Sequence, residues 1–272
     1  MKTIFKIFLI VGGALLFIGG GIFLVAFAKA DFNVRALSHR QYEEFYYEET
    51  TKVTSLNLNH SVADIRLVYA DTDTLSVTYF QARDARRNID EITLTQEDGV
   101  LSMVQSRKPH FSPSFFNISV DHDVTIKIPK DRVLDINVQT STGDISISGG
   151  TFTSAQLKTS TGDVRFYGDI TAETLSVQTS TGDVDFNGNL TANTLTINVD
   201  TGDIDGNGVI TVQTVEIQTS TGDIELNLAG EQTDYTIIAE TNTGKQNIYS
   251  GGNGEKKLSV ICSTGDIEID FR

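Results

Sequence analysis

The sequence predicts an all-β protein: a single-stranded parallel β-solenoid of about 20-residue coils, preceded by one N-terminal transmembrane helix. Three observations carry this. One phrase keeps returning, as Leu157-Lys-Thr-Ser-Thr-Gly-Asp-Val164, Val177-Gln-Thr-Ser-Thr-Gly-Asp-Val184, Ile197-Asn-Val-Asp-Thr-Gly-Asp-Ile204 and Ile217-Gln-Thr-Ser-Thr-Gly-Asp-Ile224. Its glycines, Gly143, Gly162, Gly182, Gly202, Gly222, Gly244 and Gly265, fall 19, 20, 20, 20, 22 and 21 residues apart. Around each glycine, apolar residues alternate with polar ones, which is the period of a strand with one buried face.

Met1 to Lys6 holds two lysines, and Ile7 to Ala28 then runs 22 residues without a charge. As a helix that run spans roughly 33 Å, enough for a bilayer core. It exceeds the core of a signal peptide, about 7–15 residues, which favours an uncleaved anchor. Ala26-Phe-Ala28 and Ala28-Lys-Ala30 resemble cleavage sites and support the competing reading, a signal peptide. The short head (1–6) leaves the bulk of the chain on the far side. Domain 1–30 is therefore a cytoplasmic stub and anchor, with the helix at 7–28.

Residues 31–52 are polar and rich in Glu and Tyr, and read as a solvated juxtamembrane linker. From 53 to 130 the alternation is present but worn. Ala63-Asp64 stands where later rows have Gly-Asp, and Leu56, Leu58, Ile65 and Leu67 hold the apolar places. Ile92 and Leu94, then Glu97-Asp-Gly99, then Leu101 and Met103 signal a hairpin. The loop 107–117 carries Phe111, Phe115 and Phe116 together with Pro109 and Pro113. Such apolar content suits either a partner contact or packing on the end of the solenoid.

Residues 131–272 form the regular solenoid. The bend at Thr-Gly-Asp needs a residue without Cβ, followed by a side chain able to bond local backbone. Lys245 and Gln246 replace the aspartate and the apolar residue after it, which predicts a weaker coil near 237–257. Nothing obvious covers the coil ending at Arg272, so its strand edges are expected to be open, an association hazard.

The formal net charge is −15, which argues against a nucleic-acid or anionic-lipid partner. One cysteine, Cys262, allows no internal disulfide and occupies a position held by threonine in most rows. Four histidines, His39, His60, His110 and His122, show no paired metal spacing. No Gly-x-Ser-x-Gly, phosphate loop or dinucleotide fingerprint is present. No cofactor is expected.

Ile126-Lys-Ile-Pro-Lys130 leading to Leu134-Asp-Ile136, followed by serial Ser-Thr-Gly-Asp-Ile/Val, resembles the bacterial putative-adhesin, or toast-rack, family. The resemblance covers about 53–272. It implies a membrane-tethered, extracytoplasmic β-strand-repeat module, with some relatives linked to cell-envelope stress systems. It brings no catalytic residue set.

The aspartate column, Asp144, Asp163, Asp183, Asp203, Asp223 and Asp266, is the main chemical candidate. Stacked one strand apart, like charges repel. Either each carboxylate accepts hydrogen bonds from turn amides, or a cation, calcium by ligand type, sits among Asp144, Asp163, Asp183, Asp203 and Asp223. Calcium-binding β-rolls use nine-residue Gly-rich repeats, which this chain lacks. The threonine columns beside the aspartates read as hydrogen-bonded ladders. The expected function is a non-enzymatic binding or scaffold module, adhesin-like or linked to envelope stress, with an envelope protein or wall polymer as partner. The alternatives are a polysaccharide-active β-helix enzyme and a calcium-stabilised surface protein.

Overall fold

The computed structural model describes residues 42–82, 90–107 and 123–272, with isolated positions 25, 28 and 29. Most of the expected membrane span 7–28 and all of Phe111, Phe115 and Phe116 lie outside the described residues. Among the described residues, no helix is long and apolar enough to cross a membrane.

The N-terminal region contains β1 (Tyr42–Glu48), β2 (Ser55–Val62), β3 (Ile65–Ala70), β4 (Ser76–Ala82), β5 (Asp90–Glu97), β6 (Val100–Arg107) and β7 (Val124–Pro129). Next come β8 (Val133–Thr142), β9 (Ile145–Thr161), β10 (Val164–Thr181), β11 (Val184–Asn187), β12 (Leu190–Thr201), β13 (Ile204–Thr221) and β14 (Ile224–Leu228). After a 3-10 turn at Gln232–Asp234, the chain ends with β15 (Tyr235–Thr243), β16 (Lys256–Thr264) and β17 (Ile267–Phe271).

In the middle of the rod each row pairs in parallel with the row one repeat away, in register except for local shifts between Tyr167 and Ile170 and between Gly206 and Val209. Leu175 lies beside Leu195, Val177 beside Ile197 and Thr181 beside Thr201. The next row continues the columns with Val215, Ile217 and Thr221. Inward positions are buried and outward ones exposed, as in Val164–Thr181. The core is one aliphatic column with local substitutions. Phe166 and Phe186 stack at 4.7 Å, and the next residue in their column is Gly206. A Cβ there would lie 2.6 Å from Leu226 Cδ2 and 3.3 Å from Ile210 Cδ1, so those side chains already fill the space.

The ends depart from a regular solenoid in three ways. First, rows do not all stack in chain order. β16 pairs with β13 on one side and β15 on the other, and β17 pairs with β14. The final row, around Gly265, is therefore inserted between the Gly222 and Gly244 rows. At the other end, β2 lies between β6 and β8, and β3 between β7 and β9. Second, the coil ending at Arg272 is not open: β16 is strand-paired on both sides, β17 pairs with β14 and meets a single bridge from Gln246 at Ile267 on its other edge, and Arg272 donates its backbone N–H to Leu228 O at 2.9 Å. The outermost row is the one around Gly244, and its edge is blunted. Gly251 bonds Ile237 in both directions and Ser250 Oγ bonds both backbone groups of Ala239, while one row further in the Asn247 side chain covers β17 by bonding both backbone groups of Ile269. Side chains standing in for a strand are one remedy for an exposed edge.

Third, the expected linker 31–52 contains β1, which runs antiparallel to β4 from Tyr42↔Ala82 to Glu48↔Ser76. Phe45 stacks on Tyr79 at 5.5 Å, and Tyr47 donates to Gln96 Oε1 at 2.6 Å. β4 in turn runs antiparallel to β7, and Asp98-Gly99, both at positive φ, turn the β5–β6 hairpin. An ion pair fixes this region. Arg132 bonds both Glu49 oxygens, at 2.7 and 2.6 Å, with the two side chains only 9% and 5% exposed. The same carboxylate accepts from the Val53 and Leu75 amides.

Candidate functional site

The corners that hold the glycine and aspartate columns form a seam along the rod. The glycines are at positive φ, 136° to 154°. A Cβ on Gly162, Gly182 or Gly202 would stand 2.1 Å from the carbonyl oxygen of the preceding row's glycine. Adjacent rows can approach this closely only because no side chain intervenes. Gly143 meets Ala63 in the same way, while Gly265 meets Gly222 and Gly244 meets Gly265. The seven glycines therefore share one column, in row order and not in chain order.

The aspartates repeat a single contact. Asp144 N–H donates to Asp64 Oδ1 at 2.9 Å, Asp163 to Asp144 at 2.9, and Asp183 to Asp163 at 2.8. Asp203 donates to Asp183 at 2.9 Å, Asp223 to Asp203 at 2.8, and Asp266 to Asp223 at 2.7. Lys245 N–H donates to Asp266 Oδ1 at 2.7 Å and ends the ladder. A carboxylate accepting from a backbone amide is a charge-assisted bond, stronger than a neutral one. Lys245 stands where no further row needs a carboxylate.

Behind the aspartates, Thr159, Thr179 and Thr241 donate their hydroxyls to the carbonyls of Gly143, Gly162 and Gly265 at 3.1, 3.2 and 2.9 Å. Cys262 is buried in the same column, its thiol 3.4 Å from Gly222 O. Burial pushes that thiol above its usual pKa. Thr219, also in this column, has a buried hydroxyl without a partner, which nothing in its surroundings explains.

A second column lies two residues beyond the first. In row order it reads Arg66, Ser146, Arg165, Asp185, Asp205, Glu225 and Glu268. The sequence pattern contained this column, yet only the stacking gives it meaning. Arg165 bonds Asp144 at 2.6 Å, also bonds Asp163, and lies 3.3 Å from Asp185. Partial burial works against its charge, but the Asp144 bond and the charges of Asp163, Asp144 and Asp185 hold its pKa above the usual value. Beyond Arg165 both columns are acidic: Asp183 with Asp185, Asp203 with Asp205, Asp223 with Glu225, and Asp266 with Glu268. Burial raises the pKa of Asp185, with Arg165 opposing and Asp183 and Asp163 adding to the rise. Asp205 is raised by burial and by Asp185, Asp203, Glu225 and Asp183.

Of the calcium candidates, Asp144, Asp163, Asp183, Asp203 and Asp223 each commit Oδ1 to the next row's amide. Among the described residues no group of three or more His, Cys, Asp or Glu is arranged to hold a metal ion. The local-bonding account of the column is therefore the one with contacts behind it. The seam can fix row register and present negative charge. It contains no nucleophile beside a base.

No curated protein matches this chain. Among solved structures, it is similar to a putative adhesin from Bacteroides fragilis, with a TM-score of 0.55 at 19% identity over 84% of this chain and 97% of that one. It also matches a putative cell adhesion protein from Clostridium sporogenes, with a TM-score of 0.38 at 16% identity, covering 86% and 100% of the two chains. A putative lipid binding protein from Parabacteroides distasonis matches with a TM-score of 0.36 at 16% identity, covering 85% and 97%. The first of these supports the shared β-repeat fold. A family profile described as Toastrack DUF4097 matches residues 53–271, four-fifths of the sequence. The chain belongs to the Toastrack DUF4097 family.

Proposed function

We propose that this protein is a non-enzymatic binding and scaffold module of the bacterial cell envelope. Residues 7–28 anchor it in the membrane as a single pass, with the rod on the extracytoplasmic side, where it acts adhesin-like or within an envelope stress response. The observation that carries this reading is the uniform outer surface of the middle rows. Their corners are short and alike, and they repeat the same carboxylates at one strand spacing instead of gathering unlike groups at one place. Enzymes need such a gathering of nucleophile, base and charge stabiliser. Family membership and the adhesin-named neighbour support a binding role.

The seam also indicates what kind of partner fits. Four successive rows carry paired carboxylates, flanked by cations at Arg165 and Lys245. An envelope protein or wall polymer bearing positive charge, or one bridged by a divalent cation, complements that surface, whereas nucleic acid is repelled.

Crosslinking and affinity capture of the full chain in its native membrane test the reading, with and without calcium chelation. Recovery of a defined envelope protein or glycan is expected. Recovery of lipid and background proteins alone would remove the scaffold reading. Capture that vanishes on chelation would favour the calcium-stabilised alternative, and turnover of a glycan substrate would favour the enzyme.

A further inference from the structure

The last two rows have closely matching columns and differ at one corner. Ile237, Ala239, Thr241, Gly244 and Ile248 in one correspond to Leu258, Val260, Cys262, Gly265 and Ile269 in the other. At the corner, Lys245 and Gln246 face Asp266 and Ile267. Either row therefore offers the Gly222 row a fitting aliphatic edge and a glycine without Cβ, and the Gly244 row is synthesised first.

The ladder separates the two arrangements. In the observed order Asp266 N–H bonds Asp223, Lys245 N–H bonds Asp266, and the carboxylates run unbroken to the end. Gln246 then bridges only Ile267, as the outermost member of its column, with its side-chain oxygen buried and without a partner at that end. In chain order Lys245 N–H would take Asp223, but Lys245 offers no carboxylate to the Asp266 amide. Gln246 would also fall between Ile224 and Ile267, placing a side-chain amide inside an aliphatic column. Chain order thus loses one charge-assisted bond and encloses on both sides an amide whose oxygen already lacks a partner at the end of the column.

We infer that the Gly244 and Gly265 rows compete for one edge of the Gly222 row, and that Lys245 sets the outcome. While the chain is incomplete, the Gly244 row stacks on the Gly222 row. When residues 256–272 follow, they take that edge and displace the Gly244 row outward by one position. The connections allow this. β15 is strand-paired only to β16, and Ser250 and Gly251, which cover its outer edge, belong to the same segment and travel with it. Arg272 closes the new arrangement, with Gly230 N–H donating to its backbone O at 2.7 Å.

Pairs of cysteines in the full chain, on a Cys262→Ser background, read the row order. Thr264 is adjacent to both Thr221 and Thr243, whereas Thr221 and Thr243 are two rows apart. A short bifunctional reagent should join Thr221→Cys to Thr264→Cys and leave Thr221→Cys with Thr243→Cys unjoined. Adding Gly265→Val, whose Cβ would stand 2.1 Å from Gly222 O, bars the last row from its place. The 221–243 product should then change from absent to dominant, while the β15 amides stay protected from exchange. Freely exchanging β15 amides with no 221–243 product would overturn the competition. A second variant, Lys245→Asp with Gln246→Val, restores ladder and column in either order and should yield both products. If it yields only 221–264, Lys245 does not set the order.

Discussion

The middle of the rod and its ends are held by different means. From Ile145 to Ile224 each row repeats the contacts of its neighbour: a glycine under a carbonyl, an aspartate under an amide, an aliphatic side chain under another. Strength there comes from repetition, and each contact is modest. The ends depend on contacts made once. At the N-terminal end Glu49 and Arg132, distant in sequence, join the starts of β2, β4 and β8. At the C-terminal end Asn247, Ser250 and Gly251 close the edges with side-chain and loop contacts. Repetition tolerates the loss of a hydrogen bond but not of a glycine, whereas the ends tolerate backbone change better than the loss of a single partner.

The sharpest test of that contrast is a methyl group. Gly202→Ala puts a Cβ 2.1 Å from Gly182 O at φ 148° and should destabilise the protein by about 4 kcal/mol or more. Gly251→Ala has nothing within 4 Å of its Cβ and a φ of 148°, so backbone strain alone should cost about 1 kcal/mol. Equal midpoints in urea unfolding would break the comparison. Next in size, Glu49→Gln strands the buried Arg132 charge and should cost about 3 kcal/mol. Its loss should appear first as amide exchange in β1 and β4, with the middle rows unaffected.

Asp183→Ala removes one ladder acceptor from a row whose other bonds remain, and should cost about 1 kcal/mol in the same unfolding assay. A larger effect than Glu49→Gln would mean that the ladder, and not the clamp, governs stability. The smallest effect separates the two regions by sign. Burial opposes the Glu49 charge, yet Arg132 and the backbone amides hold its pKa below 4.5. Its contribution is complete above pH 4.5 and fades as pH falls through the lowered value. Asp185 and Asp205 have pKa values raised above 3.8, so their ionised forms oppose folding. As pH falls through those raised values toward 3.8 the middle rows gain stability. Amide exchange across acidic pH should show middle-row protection rising before β1 and β4 lose theirs.

The columns were legible because each is spelled out at a fixed distance from a glycine, and a strand needs only alternation to declare its faces. Row order was not. Lys245 and Gln246 marked a departure, but a departure reads equally well as a weak interior coil or as a terminal one. Only the direction of the ladder, with each carboxylate serving the next amide, shows that Lys245 belongs last. β1 escaped notice because the four glutamates of Tyr42–Glu49 mask the alternation of Phe45 and Tyr47. The Glu49–Arg132 pair, 83 residues apart, left no local trace. Arg165 lay within the repeat, at a position where most other rows have Ser, Asp or Glu.

The ladder makes each middle row a complete tile, bringing one amide for the neighbour before it and one carboxylate for the neighbour after. A duplicated or deleted tile leaves both flanking rows satisfied and the two closures untouched. The reach of the rod can therefore change in increments of about 4.8 Å without redesign of the ladder. Length is the property this architecture leaves freest to vary.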